Sequence, residues 1–262
     1  ALAQRTPSHW RVTLDNPPIN LFDNEMKRGL QSLIGLLERD EFVTVVVFES
    51  ANPEFFLAHL DLNGDVDLTK GPTGLGPWPD FAKRLETGPF VSVGVLRGRA
   101  RGVGSEFMQA LDVRFASRER AILSQIEVGC SLIPGGGGLE RLHRLIGRSR
   151  AMEVITASQD FDAATAELYG WVNRSIPDDE LDAFVDRYVE RVAGFEKSAI
   201  AAAKSVLNER AGLATVADLD ATQKTFFTML QSPVAKERIK ALFDRGLQEH
   251  GELELRLGSL IA

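Results

Sequence analysis

From Gly98 to Arg141 the chain reads GRARGVGSEFMQALDVRFASRERAILSQIEVGCSLIPGGGGLER. Two glycine clusters in this stretch, Gly102 to Gly104 and Gly135 to Gly138, limit what the surrounding chain can build. They bracket an apolar run that predicts a short helix over Phe107–Leu111, then strands over Val113–Ala116 and Ala121–Leu123. A glutamate stands beside each turn region, Glu106 and Glu127. Because Gly102 and Gly104 flank Val103 ahead of a helical run, the amides of Val103 and its neighbours are expected as the unpaired donors of a helix N-terminus, where an anion can bind. Glycine on either side lets another group approach the backbone. An ordinary strand-to-helix turn with surface glycines would read the same way. The stretch is not a dinucleotide fingerprint, since Phe107 replaces the third glycine, and no Gly-Lys-Ser/Thr follows to cradle a nucleotide phosphate.

The rest of the chain is of ordinary globular type. Its 262 residues, 44% hydrophobic and 26% charged, suffice for a sizeable core. A formal net charge of -7 argues against a general nucleic-acid surface, which needs an excess of Lys and Arg to neutralise phosphates. The single cysteine, Cys130, excludes an internal disulfide, and among Val128, Leu132 and Ile133 it reads as a small buried hydrophobe. ALAQRTPSHW lacks the apolar run of a signal peptide and no stretch reaches the length of a membrane span, so the cytoplasm is the expected location, with no membrane partner.

WRVTL (Trp10–Leu14) alternates like a strand, and Asp23 is placed to cap a helix over Glu25–Arg39 whose Met26, Leu30, Leu33, Ile34 and Leu37 share one face. VTVVVFE (Val43–Glu49) and FVSVGVL (Phe90–Leu96) are too uniformly apolar for a surface and predict strands covered on both faces. Asp65–Phe81, rich in glycine and proline without helical period, reads as a lid or a plain surface loop. Arg97, Arg99 and Arg101 alternate before the first glycine turn; they could meet phosphates or be exposed turn arginines. After Leu139 the pattern is helical almost throughout, over Leu139–Ile146, Ser149–Thr156, Ala163–Trp171, Asp178–Val192, Lys197–Arg210, Val216–Leu230 and Pro233–Gly246. Strands with helices first and helices alone later imply an α/β core followed by a helical region.

Four blocks in this chain resemble, in order, those of the crotonase (enoyl-CoA hydratase/isomerase) superfamily. FFLAHLDL at Phe55–Leu62 is similar to FxAGADL, GRARGVGSEFMQALDVRFAS to GxAxGGGxELAxxCDxRxAs, AILSQIEVGCSLIPGGGGLERL to AxFGxPExxLGxxPGxGGTQRL, and AELYGWVNRSIPDDEL at Ala166–Leu181 to AxxxGLVNxVVPxxEL. The resemblance implies a crotonase-like α/β fold, a superhelix of ββα units over 1–195, with a C-terminal helical trimerisation region over 196–262. It implies an acyl-CoA thioester as substrate, no cofactor or metal beyond the coenzyme A of that substrate, and assembly as a homotrimer or a dimer of trimers.

Carried over by position, the resemblance assigns backbone N–H groups of Leu60 and Val103 to an oxyanion hole and Glu106 and Glu127 to acid-base chemistry. It places Ala58, His59 and Arg245 at the substrate, Arg245 through a contact with the coenzyme A of a neighbouring subunit, and leaves Asp61 structural. The implied reaction is syn hydration of a 2-enoyl-CoA; isomerisation through Glu127 alone, a C–C or thioester hydrolysis drawing on His59, and a binding protein with a decayed site are the alternatives. The chain departs from the pattern in three places. His59 and Val103 stand at glycine positions, and Ile126 replaces the proline before the second glutamate. A β-branched valine cannot take positive φ without strain, so altered walls are expected around the hole. About one extra residue in SRERAIL is expected to shift Glu127 slightly.

Overall fold

The computed structural model describes residues 1–261. Ten strands and twelve helices follow in chain order, and the strands form two sheets. The larger sheet is built from β1 (Leu2–Gln4), β2 (His9–Leu14), β3 (Val45–Ser50), β5 (Val91–Leu96), β7 (Val113–Ser117) and β10 (Arg174–Ile176), in that spatial order. Every pairing in it is parallel except β1 with β2. The smaller sheet runs β4 (Phe55–Leu57), β6 (Arg99–Arg101), β8 (Ile122–Ser124) and β9 (Phe161–Asp162), with only β8 and β9 antiparallel.

The period of two along β3 explains why its sequence is apolar throughout. Val46 and Phe48 enter one core with the inward faces of α1 (Asn24–Arg39), α2 (Pro77–Thr87) and α3 (Val103–Ala110). Val45 and Val47 face the other side, where they join Val93, Val95, Phe115 and the Leu181, Val185, Val189 and Val192 stripe of α7 (Asp178–Ala193). The strand is therefore covered on both faces, as parallel sheets require. Asp23 caps α1, its carboxylate accepting the Met26 N–H at 2.8 Å.

The remaining helices are α4 (Gly138–Ile146), α5 (Arg148–Ala157), α6 (Ala163–Tyr169), α8 (Lys197–Ala211), α9 (Val216–Leu230), α10 (Pro233–Phe243), α11 (Glu252–Leu255) and α12 (Leu257–Leu260). The helices after residue 195 do not stand apart. Phe226, Ile239, Leu242, Leu253 and Leu257 share a core with Ile126, Cys130 and Leu132, which follow β8. Lys204 of α8 reaches the carbonyls of Leu85 and Phe90 and the Asp112 carboxylate at 2.7–3.0 Å.

Two sequence expectations are corrected. The segment Asp65–Phe81 is a loop only to Gly76; from Pro77 it is helix α2, with Trp78 and Phe81 buried. Prolines in the first turn hide a helix from a period count, yet they fit there because those N–H groups have no intrahelical partner anyway. Arg101 is neither exposed nor free for a phosphate. It is fully buried, holding Asp160 through two bonds of 2.8 and 2.7 Å. Arg97 pairs with Asp178 and Asp182, and Arg99 donates to the Leu255 carbonyl.

Candidate active site

The two glycine turns meet across one cavity of 510 Å³, within the range that holds a small ligand. Glu106, Glu127, Leu60, Val103 and His59 all line it, together with Trp78, Gly136 and, from the helical tail, Phe226, Leu230 and Ile239. Ala58 does not; it is buried with Ile19 and Phe55 behind the wall. Arg245 is exposed, bonded to the Leu260 carbonyl at 2.6 Å, and lies outside the lining.

The first turn starts one residue earlier than strain would have demanded. Gly102 takes φ +51 while Val103 is the first helical residue of α3, so the left-handed conformation falls on a glycine and the valine is unstrained. The would-be Cβ of Gly102 lies 3.0 Å from Glu127 Oε1, which fixes how closely the acid approaches the turn. The Val103 N–H donates to no acceptor among the described residues. Leu60 forms an isolated parallel bridge with Phe22, in which Phe22 N–H donates to His59 and Asp61 N–H donates to Phe22. That register leaves the Leu60 N–H on the opposite edge, likewise without an acceptor among the described residues.

Glu106 is 2% exposed and sits in the first turn of α3. Its Oε1 accepts the N–H groups of Gly136 and Gly138 at 2.9 and 3.0 Å. These donors come from the second glycine turn, which Arg141 steadies through the Gly136 carbonyl at 3.0 Å while pairing with Glu86 at 2.7 Å. A side chain at Gly136 would collide with Trp78 Nε1 and Glu106 Oε2, and Gly137 takes φ +107. Burial pushes the Glu106 carboxyl up, and the two backbone donors and Arg141 pull part of the way back, leaving it raised.

Glu127 is 9% exposed and precedes the single 3-10 turn Val128–Cys130. Among side chains of the described residues, Gln125 donates to it, at 3.1 Å. Burial, reinforced by the charge of Glu106, pushes its carboxyl up to about 8. The same burial pushes the Cys130 thiol up to about 12, which leaves it inert at neutral pH.

His59 has no nitrogen to spare for a substrate. Nδ1 lies 2.9 Å from the Leu60 carbonyl, which can only accept, so Nδ1 carries a proton. Nε2 faces Glu254 Oε1 at 2.8 Å. Burial works against charge on the ring, but the Glu254 carboxylate outweighs it and His59 is raised, while Glu254 is lowered despite its own burial. The pair is a buried ion pair. Sequence reading singled out His59 but missed Glu254, which lies 195 positions away and carries no local signal.

Trp78 was missed too. Its ring stacks on Phe107 at 5.4 Å and its indole N–H is buried without a partner at the cavity wall. No group of three or more His, Cys, Asp or Glu side chains arranged to hold a metal occurs among the described residues. No helix among the described residues is long and apolar enough to cross a membrane.

A mostly parallel α/β core holds one cavity in which the unpaired amides of Leu60 and Val103 stand beside two buried carboxyls. The enoyl-CoA hydratase/isomerase family pattern matches residues 7–252, and the chain belongs to that family. It is similar to the short-chain-enoyl-CoA hydratase of Clostridium acetobutylicum, 27% identical over 200 residues covering 75% of this chain and 76% of the relative. It is also similar to the 2,3-dehydroadipyl-CoA hydratase of Escherichia coli, 27% identical over 220 residues covering 84% and 85%. Among solved structures, a candidate enoyl-CoA hydratase from Streptomyces avermitilis superposes with TM-score 0.93 at 40% identity, covering 98% of this chain and 94% of that one. The chain is an enoyl-CoA hydratase-like enzyme with the crotonase fold.

Proposed function

We propose that the protein adds water across the 2,3 double bond of a 2-enoyl-CoA thioester to give the 3-hydroxyacyl-CoA. The thioester oxygen accepts the N–H groups of Leu60 and Val103, which stabilise the negative charge that reaches it as the bond to C3 forms. Each such donor contributes roughly a hundred- to a thousandfold in rate. Glu106 takes a proton from the attacking water, and Glu127 delivers a proton to C2 as the enolate collapses, so water is added with no net change in protonation of the pair.

The observation that carries this reading is the unequal treatment of two carboxyls in one cavity. Glu106 holds two backbone N–H donors, which favour its ionised form relative to its partner. Glu127, at about 8, retains its proton at neutral pH. One base and one acid are what a hydration needs. Isomerisation through Glu127 alone leaves the oriented Glu106 without a task, and a hydrolysis through His59 is opposed by the occupation of both ring nitrogens.

The test is hydration of crotonyl-CoA followed by loss of its conjugated absorbance. Glu106→Gln should abolish hydration. A wild type that never hydrates but exchanges the C2 or C4 protons with solvent and moves the double bond would support the isomerase instead. Assembly into trimers is also proposed. Exposed Leu207 (67%) and Val234 (66%) on the helical tail and Phe195 (51%) in the link between α7 and α8 support it, and sedimentation would measure it.

A further inference from the structure

The two amides assigned to the thioester oxygen come from separate strands of the chain, and something must set the distance between them. Immediately before Leu60 stands His59, whose ring is locked to the Leu60 carbonyl at 2.9 Å and to Glu254 Oε1 at 2.8 Å. Two positions before Val103 stands Arg101, whose guanidinium donates to the main-chain carbonyl of the same residue, Glu254. Arg101 is fully buried and its other donors hold Asp160. Glu254 Oε1 also accepts the Gln248 N–H at 2.7 Å. One residue of α11 therefore grips both amide-bearing segments, one by its side chain and the other by its backbone.

Resting on the oxyanion reading above, we propose that Glu254 is a positioning residue that fixes the separation of the Leu60 and Val103 donors, so that helix α11 tunes the catalytic rate without touching substrate. Two features support this. Glu254 is fully buried and absent from the cavity lining, so it reaches the two amides through the groups it bonds, His59 and Arg101. Its second carboxylate oxygen, Oε2, is buried without a donor among the described residues, an arrangement that costs stability. The ion pair with His59 holds because each partner supplies the charge the other needs in a dry setting.

The experiment uses the full chain and a chromophoric arylacryloyl-CoA, whose absorbance moves to the red when its carbonyl accepts hydrogen bonds. Wild type should redshift the bound probe. Glu254→Ala, His59→Ala and the double variant should bind it with Kd within about threefold of wild type yet lose most of the redshift and about a hundredfold in kcat. The double variant should be no worse than either single one, since the pair acts as a unit. Glu254→Gln keeps the shape and removes the charge; it should lose about tenfold and serves if the alanine variant does not fold. The redshift is read per bound molecule, so a lowered Tm alone does not mimic the effect. Variants that melt lower but keep redshift and kcat overturn the proposal while leaving the oxyanion reading intact. Absence of any redshift in wild type overturns both.

Discussion

Glu106 and Glu127 share a cavity but not an environment: two backbone amides of the second glycine turn point at Glu106, and a single side-chain amide points at Glu127. Equal burial would have left two equivalent acids. The asymmetry comes from main-chain geometry, which is harder to lose by mutation than a side-chain contact.

The first prediction is a bell-shaped pH dependence of kcat/KM. Activity needs Glu127 protonated, so it should fall as pH rises through about 8. It needs Glu106 ionised, so it should also fall on the acid side, at a pH above the usual carboxylate range because that group is raised as well. Initial rates of crotonyl-CoA hydration across pH 5–10 would show two limbs belonging to the pair rather than to either residue.

Stability follows the same group with a fixed sign. A carboxyl whose folded pKa lies above its unfolded value contributes fully below the unfolded value and loses that contribution as pH rises through about 8. Glu127→Gln should therefore leave Tm near that of wild type at pH 5 and raise it above wild type at pH 9, while lowering kcat about a hundred- to ten-thousandfold. A melting series at the two pH values checks it.

Gly136→Ala should fold and fail as a catalyst. The added Cβ would lie 2.1 Å from Trp78 Nε1 and 2.3 Å from Glu106 Oε2, so the turn must shift and Glu106 loses its amide donors. A fall in kcat of about a hundredfold is expected, with a stability loss of about 1–3 kcal/mol from overpacking. Steady-state kinetics and a urea titration separate the two effects.

Arg101→Met should be worse for stability than any change at the exposed arginines. It leaves Asp160 and the Glu254 and Leu255 carbonyls without their buried donor. Breaking a buried pair from one side costs about 3–5 kcal/mol, which urea unfolding would read directly. Arg256→Met, at an exposed pair with Glu252, should cost within about 0.5 kcal/mol.

Much of this was legible in the chain because the informative signals are local. The apolar runs around Val45–Phe48 and Val91–Leu96 announce a sheet covered on both faces, and the glycine pairs around Val103 and at Gly135–Gly138 announce close backbone approaches. Val103 and Glu106 lie within or beside such signals, whereas Leu60 and Glu127 were placed by the resemblance of their blocks to the family pattern. What was missed depends on distance or brevity. Three-residue strands such as Arg99–Arg101 are too short to show a period, and charge at Arg101 argued for the surface until Asp160 supplied a partner. The helix at Pro77 was hidden by its own prolines. Glu254 could not be linked to His59, because nothing in the intervening sequence says that the tail folds back against the first amide.

The wall facing the two acids is made by Phe226, Leu230 and Ile239, which are synthesised more than ninety positions after Glu127. A polypeptide interrupted at Leu213 would carry Leu60, Val103, Glu106 and Glu127 without these three lining side chains. On the ribosome the cavity is therefore completed last, by the order in which its parts emerge.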